Sequence, residues 1–206
     1  MTILARAGLT AAALFAATPA LAHHPMGGET PATLFQGLAS GVGHPIIGLD
    51  HLAFILAAGA AAALIGRALP LALAFAAATV VGLVVHLNAV TLPLAEIVIA
   101  GSAALAGLML VARRTPGMAG WTVLFGLAGI AHAYAYAEAI IGAETTPLLA
   151  YAVGLAATQG AIVFAVAWGL RAIAGSSTSV GLPRATQAVG ALSLAVGCVF
   201  LVQAVG

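Results

Sequence analysis

Apolar residues along this chain come in runs too long to be the stripes of amphipathic helices, and the polar residues gather at the ends of the runs. Such runs predict helices that are hydrophobic all round, the kind that sit in a bilayer. Six are long enough to cross one: 45–65, 69–87, 93–112, 118–141, 147–170 and 184–205. Pro45, Pro93 and Pro147 each fall where a helix should start, the position at which a missing N–H costs least. Segment 35–42, with Gly37 and Gly41, is too short to cross and predicts an interfacial or re-entrant helix. Residues 175–181, rich in Gly, Ser and Thr, form the one long flexible connection. The expected fold is all-α, a polytopic membrane bundle of six transmembrane helices.

Ahead of the bundle, residues 1–22 have the layout of a cleaved signal peptide. Arg6 supplies the positive end, residues 8–17 the short apolar stretch, and Ala20-Leu21-Ala22 the small-x-small site. Cleavage after Ala22 leaves 23–206 as a single domain whose first residues, His23-His24-Pro25-Met26, lie outside the cytoplasm.

Composition agrees with a membrane protein and removes other classes. The chain is 63% hydrophobic and 5% charged, with no lysine, where soluble domains carry about 25% charged residues. Nothing forms a basic stripe, so nucleic acid is not a partner. The lone Cys198 excludes an internal disulfide and any multi-cysteine zinc or iron–sulfur site, and reads as a small buried apolar residue. There is no Walker motif for phosphate and no His-Glu-x-x-His, so neither ATP hydrolysis nor metalloprotease chemistry is expected.

Charge placement sets the orientation. With an external N-terminus and six crossings, Arg67, Arg113, Arg114, Arg171 and Arg184 all fall on the cytoplasmic side. Glu29, Asp50, Glu96, Glu138 and Glu144 fall outside or in the outer half, giving a negative mouth that attracts cations. The expected location is the bacterial inner membrane, with both termini periplasmic.

Polar residues inside the runs carry the chemistry. Asp50 and His51 lie about two turns into the first span, and His132 about two turns from the outer end of the fourth, with Glu138 in its last turn. His86 closes the second span and Glu96 opens the third. Charged and imidazole side chains at such depth are costly and normally face a bundle interior or an ion path. His44 and His51 share a face but stand ~10 Å apart along a regular helix, too far to hold one ion unless Pro45 and Gly48 break its first turn. His132 shares a face with Tyr136, and Tyr134 with Glu138. Imidazole and carboxylate together suit nickel, cobalt, zinc or manganese. A free amine on His23, with the imidazoles of His23 and His24, would make an external capture site. Blander readings stand beside these. His86 reads equally as a hydrogen-bonded structural histidine, Glu96 as a helix-start carboxylate favoured by the dipole, and Tyr134, Tyr136 and Tyr151 as an interfacial aromatic belt. For an ion's further passage through the inner half, the candidates are backbone carbonyls near glycines and Thr79, Ser102, Thr158 and Gln159.

His44-Pro45-(x)4-Asp50-His51 resembles the His-x5-Asp-His signature of the HupE/UreJ family of nickel and cobalt permeases, and the slightly shorter motif of the wider nickel/cobalt transporter group. The block from His132 through Glu138 to Glu144, followed by Thr146-Pro147 and Tyr151, is similar to the family's second segment, as are Leu92-Pro93-Leu94-Ala95-Glu96 with Ser102 and the start His23-His24-Pro25-Met26-Gly27-Gly28. Ala133 and Ala137 depart from it, standing where the family commonly has glycine. The resemblance implies a cleaved signal, six helices and uptake of Ni²⁺ or Co²⁺ in support of hydrogenase or urease maturation. It implies a metal path of His44, Asp50, His51, His132 and Glu138, the ion being cargo and not a cofactor. The alternative is a haem-binding electron-transfer protein with His86 and His132 as the axial pair; an intramembrane metalloenzyme ranks last.

Overall fold

The computed structural model describes residues 29–90, 92–175 and 180–206. The expected signal peptide, its cleavage site, and His23 and His24 lie outside the described residues. Within them the chain is all helix: α1 (Leu34–Ile47), α2 (Leu49–Ile65), α3 (Ala68–Leu87), α4 (Ala95–Val111), α5 (Gly117–Glu138), α6 (Thr145–Ala174) and α7 (Gly181–Val205).

Helix α2 is the axis of the bundle. Its run Ala57-Ala58-Gly59-Ala60-Ala61-Ala62-Ala63 is buried on every side, with Phe54 and Ile55 above it. Side chains this small let neighbouring backbones approach closely, which is how helices associate where lipid removes the hydrophobic drive. All six other helices touch α2, and they pack on one another as three pairs, α1 with α6, α3 with α5, and α4 with α7. Each pair closes on glycine. A methyl group added at Gly41, Gly82 or Gly107 would overlap the backbone of Tyr151, Ile130 or Leu194 on the partner helix.

The entry to α2 differs from expectation. Helix α1 opens with a capping box, in which Thr33 Oγ1 accepts from the Gln36 amide at 3.2 Å and Gln36 Oε1 accepts from the Thr33 amide at 3.1 Å. It then runs through Pro45 to Ile47, so the expected first span 45–65 is divided, and Pro45 ends a helix where it was expected to start one. Gly48, extended at φ −72° and ψ 102°, separates the two helices, and their axes turn by 77°. Pro93 also stands outside its helix, in a turn before α4, and α5 stops at Glu138 instead of 141. Pro147 lies in the first turn of α6 as expected.

Four helices, α3, α5, α6 and α7, are long and apolar enough to cross a membrane, and α1 with α2, counted as one bent span, would make a fifth. Helix α4 is apolar but has only 17 residues. Among the described residues, length and composition thus support four or five spans, where the apolar runs predict six.

The two ends of the bundle are chemically opposite. At one, Arg171 donates to the Ala63 carbonyl at the end of α2. Beside it Arg113 donates to Gln187 and Gln187 to the Val111 carbonyl, each at 2.8 Å, joining α4 to α7. At the other stand Asp50, His86, Glu96 and Glu138. Cys198, expected to be buried, is exposed on α7.

Candidate metal site

The 77° turn at Gly48 changes what His44 and His51 can do together. Their ring centroids come to 5.8 Å, where a straight helix would hold them ~10 Å apart. Both are fully buried, as are His132 and Tyr136 on α5 and Tyr151 on α6. The Tyr136 ring is the hub, with centroids 4.3 Å from His51 and 5.0 Å from His44. Tyr136 and Tyr151 are therefore interior residues and not the aromatic belt they resemble in sequence.

Hydrogen bonds fix the orientation of each ring. The Tyr151 hydroxyl donates its one proton to the Tyr136 carbonyl at 2.6 Å, so it accepts from His44 Nδ1 at 2.9 Å. Ser102 Oγ on α4 donates to the Ile99 carbonyl at 2.7 Å and so accepts from His132 Nε2 at 3.0 Å. That leaves His132 Nδ1 as an acceptor, and it faces His51 Nδ1 at 2.8 Å. Two imidazoles from α2 and α5 thus meet nitrogen to nitrogen, each oriented by its neighbours. Supports of this kind set the tautomer and direction of a metal-binding histidine. Ser102 entered the sequence reading only as part of a motif and as an inner polar group; its service to His132 depends on how α4 is rotated, which spacing does not reveal.

Asp50 and His51, adjacent in sequence, point to different places. The Asp50 carboxylate accepts from the His51 amide at 2.8 Å, at the start of α2, where a negative charge is also favoured by the helix dipole. It borders a cavity of about 310 Å³ that Asp50 shares with His86, Glu96, Tyr134, Glu138 and Gln203. Glu96 and Glu138 are exposed there, and His86 is half-buried with its ring 4.7 Å from that of Tyr134. Helix α5 accordingly serves two sites with two faces, His132 and Tyr136 to the buried rings and Tyr134 and Glu138 to the cavity. Glu96, read as a helix-start carboxylate, does occupy the first turn of α4, and it also faces this acidic space.

Among the described residues no three His, Cys, Asp or Glu side chains converge closely enough to hold an ion. The residues singled out in sequence thus divide into an acidic mouth (Asp50, His86, Glu96, Glu138) and a buried stack (His44, His51, His132). On the far side of the stack the interior turns apolar. Phe54 lies 4.7 Å from His132, ring to ring, Phe75 lies 6.2 Å away, and Phe125 and Trp121 continue the layer. Thr79 spends its hydroxyl on the Phe75 carbonyl. Nothing supports a haem pair of His86 and His132: His132 lies in the buried stack beside His51 and Ser102, while His86 borders the acidic cavity and packs on Tyr134.

No curated protein and no solved structure matches this chain. A family profile does: that of the HupE / UreJ protein family, over residues 11–200, which spans every helix described above except the last turn of α7. With nearly the whole chain covered, this protein belongs to the HupE / UreJ family.

Proposed function

We propose that this protein is an inner-membrane secondary transporter that carries Ni²⁺, or Co²⁺, into the cell through the acidic mouth and the histidine stack. Family membership supports transport of a nickel or cobalt ion across a membrane. The observation that carries the route is the direct contact of His51 with His132 beside the Asp50 cavity. The donors are imidazole nitrogen and carboxylate oxygen, a set suited to borderline divalent ions. Glu96, Glu138 and Asp50 give the mouth a negative field that concentrates cations, and His23 and His24 form the outermost capture point. For the His51–His132 pair to hold one ion the two rings must part and turn, since their Nδ1 atoms now face each other at 2.8 Å.

In this reading α2 to α7 cross the membrane, with α1 lying at the periplasmic face, the cleaved signal peptide ahead of it, and the arginine end in the cytoplasm as the positive-inside rule requires. Helices α2 and α4, of 17 residues each, are ~26 Å long, short of the ~30 Å hydrocarbon core, and local thinning would accommodate them. The ion delivered serves hydrogenase or urease maturation.

Uptake of radiolabelled nickel and cobalt tests this in cells expressing the wild type, Asp50→Ala or His132→Ala at matched membrane levels. Uptake by the wild type that both substitutions abolish is the expected result. Wild-type uptake no greater than that of empty-vector cells, for both metals and with the protein inserted, contradicts it.

A further inference from the structure

Gln159 lies within α6 with no exposed surface. Among the described residues neither its amide nitrogen nor its amide oxygen has a hydrogen-bond partner of good geometry, and the same is true of the Tyr136 hydroxyl. The two groups face each other within reach of a weak hydrogen bond, Tyr136 from α5 and Gln159 from α6. Burying a polar group unsatisfied costs about 1–3 kcal/mol, and leucine at position 159 would fill similar space without that cost. A contact between Gln159 and Tyr136 can satisfy at most one of the two amide atoms, so part of this buried polar pair is left for something else to bind.

Their position says what that is. Tyr136 is the ring around which His44 and His51 pack, so its hydroxyl continues directly from the stack. Gln159 stands eight residues beyond Tyr151 on α6, which is ~12 Å along the axis, toward the end where Arg171 meets α2. It is thus the first buried polar side chain of α6 beyond the stack, and Val163, one turn further on, belongs to the apolar cluster that holds Phe54, Phe75 and Phe125. An amide carbonyl and a phenol oxygen are harder donors than imidazole and bind borderline divalent ions less tightly. A weaker site after a stronger one is what passage requires, since an ion must leave each station as well as reach it.

We infer that Gln159 and Tyr136 form a second station, at which the transported divalent cation exchanges imidazole nitrogen for amide and phenol oxygen on its way inward. This rests on the transport reading above. It assigns Gln159 to the path and gives Tyr136 a role apart from packing.

The test compares Gln159→Leu and Gln159→Glu with the wild type and His132→Ala, scoring radiolabelled nickel and cobalt uptake in cells and thermal unfolding of each purified protein in detergent. The expected result is at least tenfold lower uptake in Gln159→Leu, whose unfolding temperature is equal to or above that of the wild type, with uptake partly kept in Gln159→Glu. A stable Gln159→Leu protein that transports normally overturns the station and leaves Gln159 holding at most a structural water. A Gln159→Leu protein that loses uptake together with stability gives the residue a structural role, and also overturns it. If the wild type itself takes up neither metal, the transport reading fails first, and that outcome is visible in the same experiment.

Discussion

His51 Nδ1 and His132 Nδ1 stand 2.8 Å apart, fully buried, across 81 residues of chain. With His132 Nε2 committed to Ser102, the proton between the two rings belongs to His51 and the lone pair to His132. An ion that binds both Nδ1 atoms must displace that proton, and a neutral imidazole accommodates this by carrying it on Nε2, so metal binding requires a change of tautomer at His51.

Ser102→Ala tests that support. Losing an outer partner of a metal-binding histidine typically costs about 10–100-fold in affinity. The half-saturating metal concentration for uptake should rise by about that factor, with maximal uptake changed much less. An unchanged concentration dependence would mean that Ser102 does not orient His132 for binding.

Gly48→Ala probes the bend from the other side. The backbone conformation there suits alanine (φ −72°), but the new methyl carbon would lie 2.6 Å from His51 Cδ2, so the ring must move. A displacement of ~1 Å in a positioned group can cost about 100-fold in rate. Uptake is expected to fall at least tenfold, with the protein still inserted. Gly126→Ala on α5, where an added methyl meets nothing, is the matched control and should transport normally.

Gly41→Ala should act through packing. The added methyl would overlap the Tyr151 carbonyl, forcing α1 off α6 and His44 away from the Tyr151 hydroxyl. Overpacking of this kind costs about 1–3 kcal/mol, which thermal unfolding in detergent should register as a clear loss together with lost uptake.

Tyr151→Phe separates the hydrogen bond from the packing. It keeps the ring and removes the oxygen shared by His44 Nδ1 and the Tyr136 carbonyl. Losing the hydroxyl from the buried Tyr136 carbonyl should cost about 1–3 kcal/mol, and uptake should fall because the His44 ring loses the bond that orients its Nδ1. Wild-type stability and uptake in this variant would remove Tyr151 from the site.

Several of these relationships were open to reading from the sequence and others were not. The opposite placement of arginines and acids follows from where polar residues interrupt apolar runs, and Arg171 at the Ala63 carbonyl and Glu138 at the acidic cavity stand at the corresponding ends. Spacing of four residues pairs His132 with Tyr136 and Tyr134 with Glu138, because helix α5 is regular throughout. Gly48 is different. Its extended conformation is open to any residue, and the bend exists because α1 is held against α6 through Gly37, Gly41 and Gly154, a contact between segments about 110 residues apart. Tyr136 and Tyr151 mislead for a related reason, since a tyrosine near a helix end has the same sequence signature whether it faces headgroups or the bundle interior. The lengths of α2 and α4 depend on where turns close, and a proline such as Pro45 marks a helix boundary without saying which side of it the helix occupies.

X-ray absorption of nickel bound to the purified protein addresses the histidine stack most directly, with the wild type compared against His51→Ala and His132→Ala. Nickel in an oxygen and nitrogen shell with imidazole scattering, reduced in each variant along with affinity, is the expected outcome. Identical spectra and affinities in all three proteins would contradict it, because the ion would then bind without touching either ring.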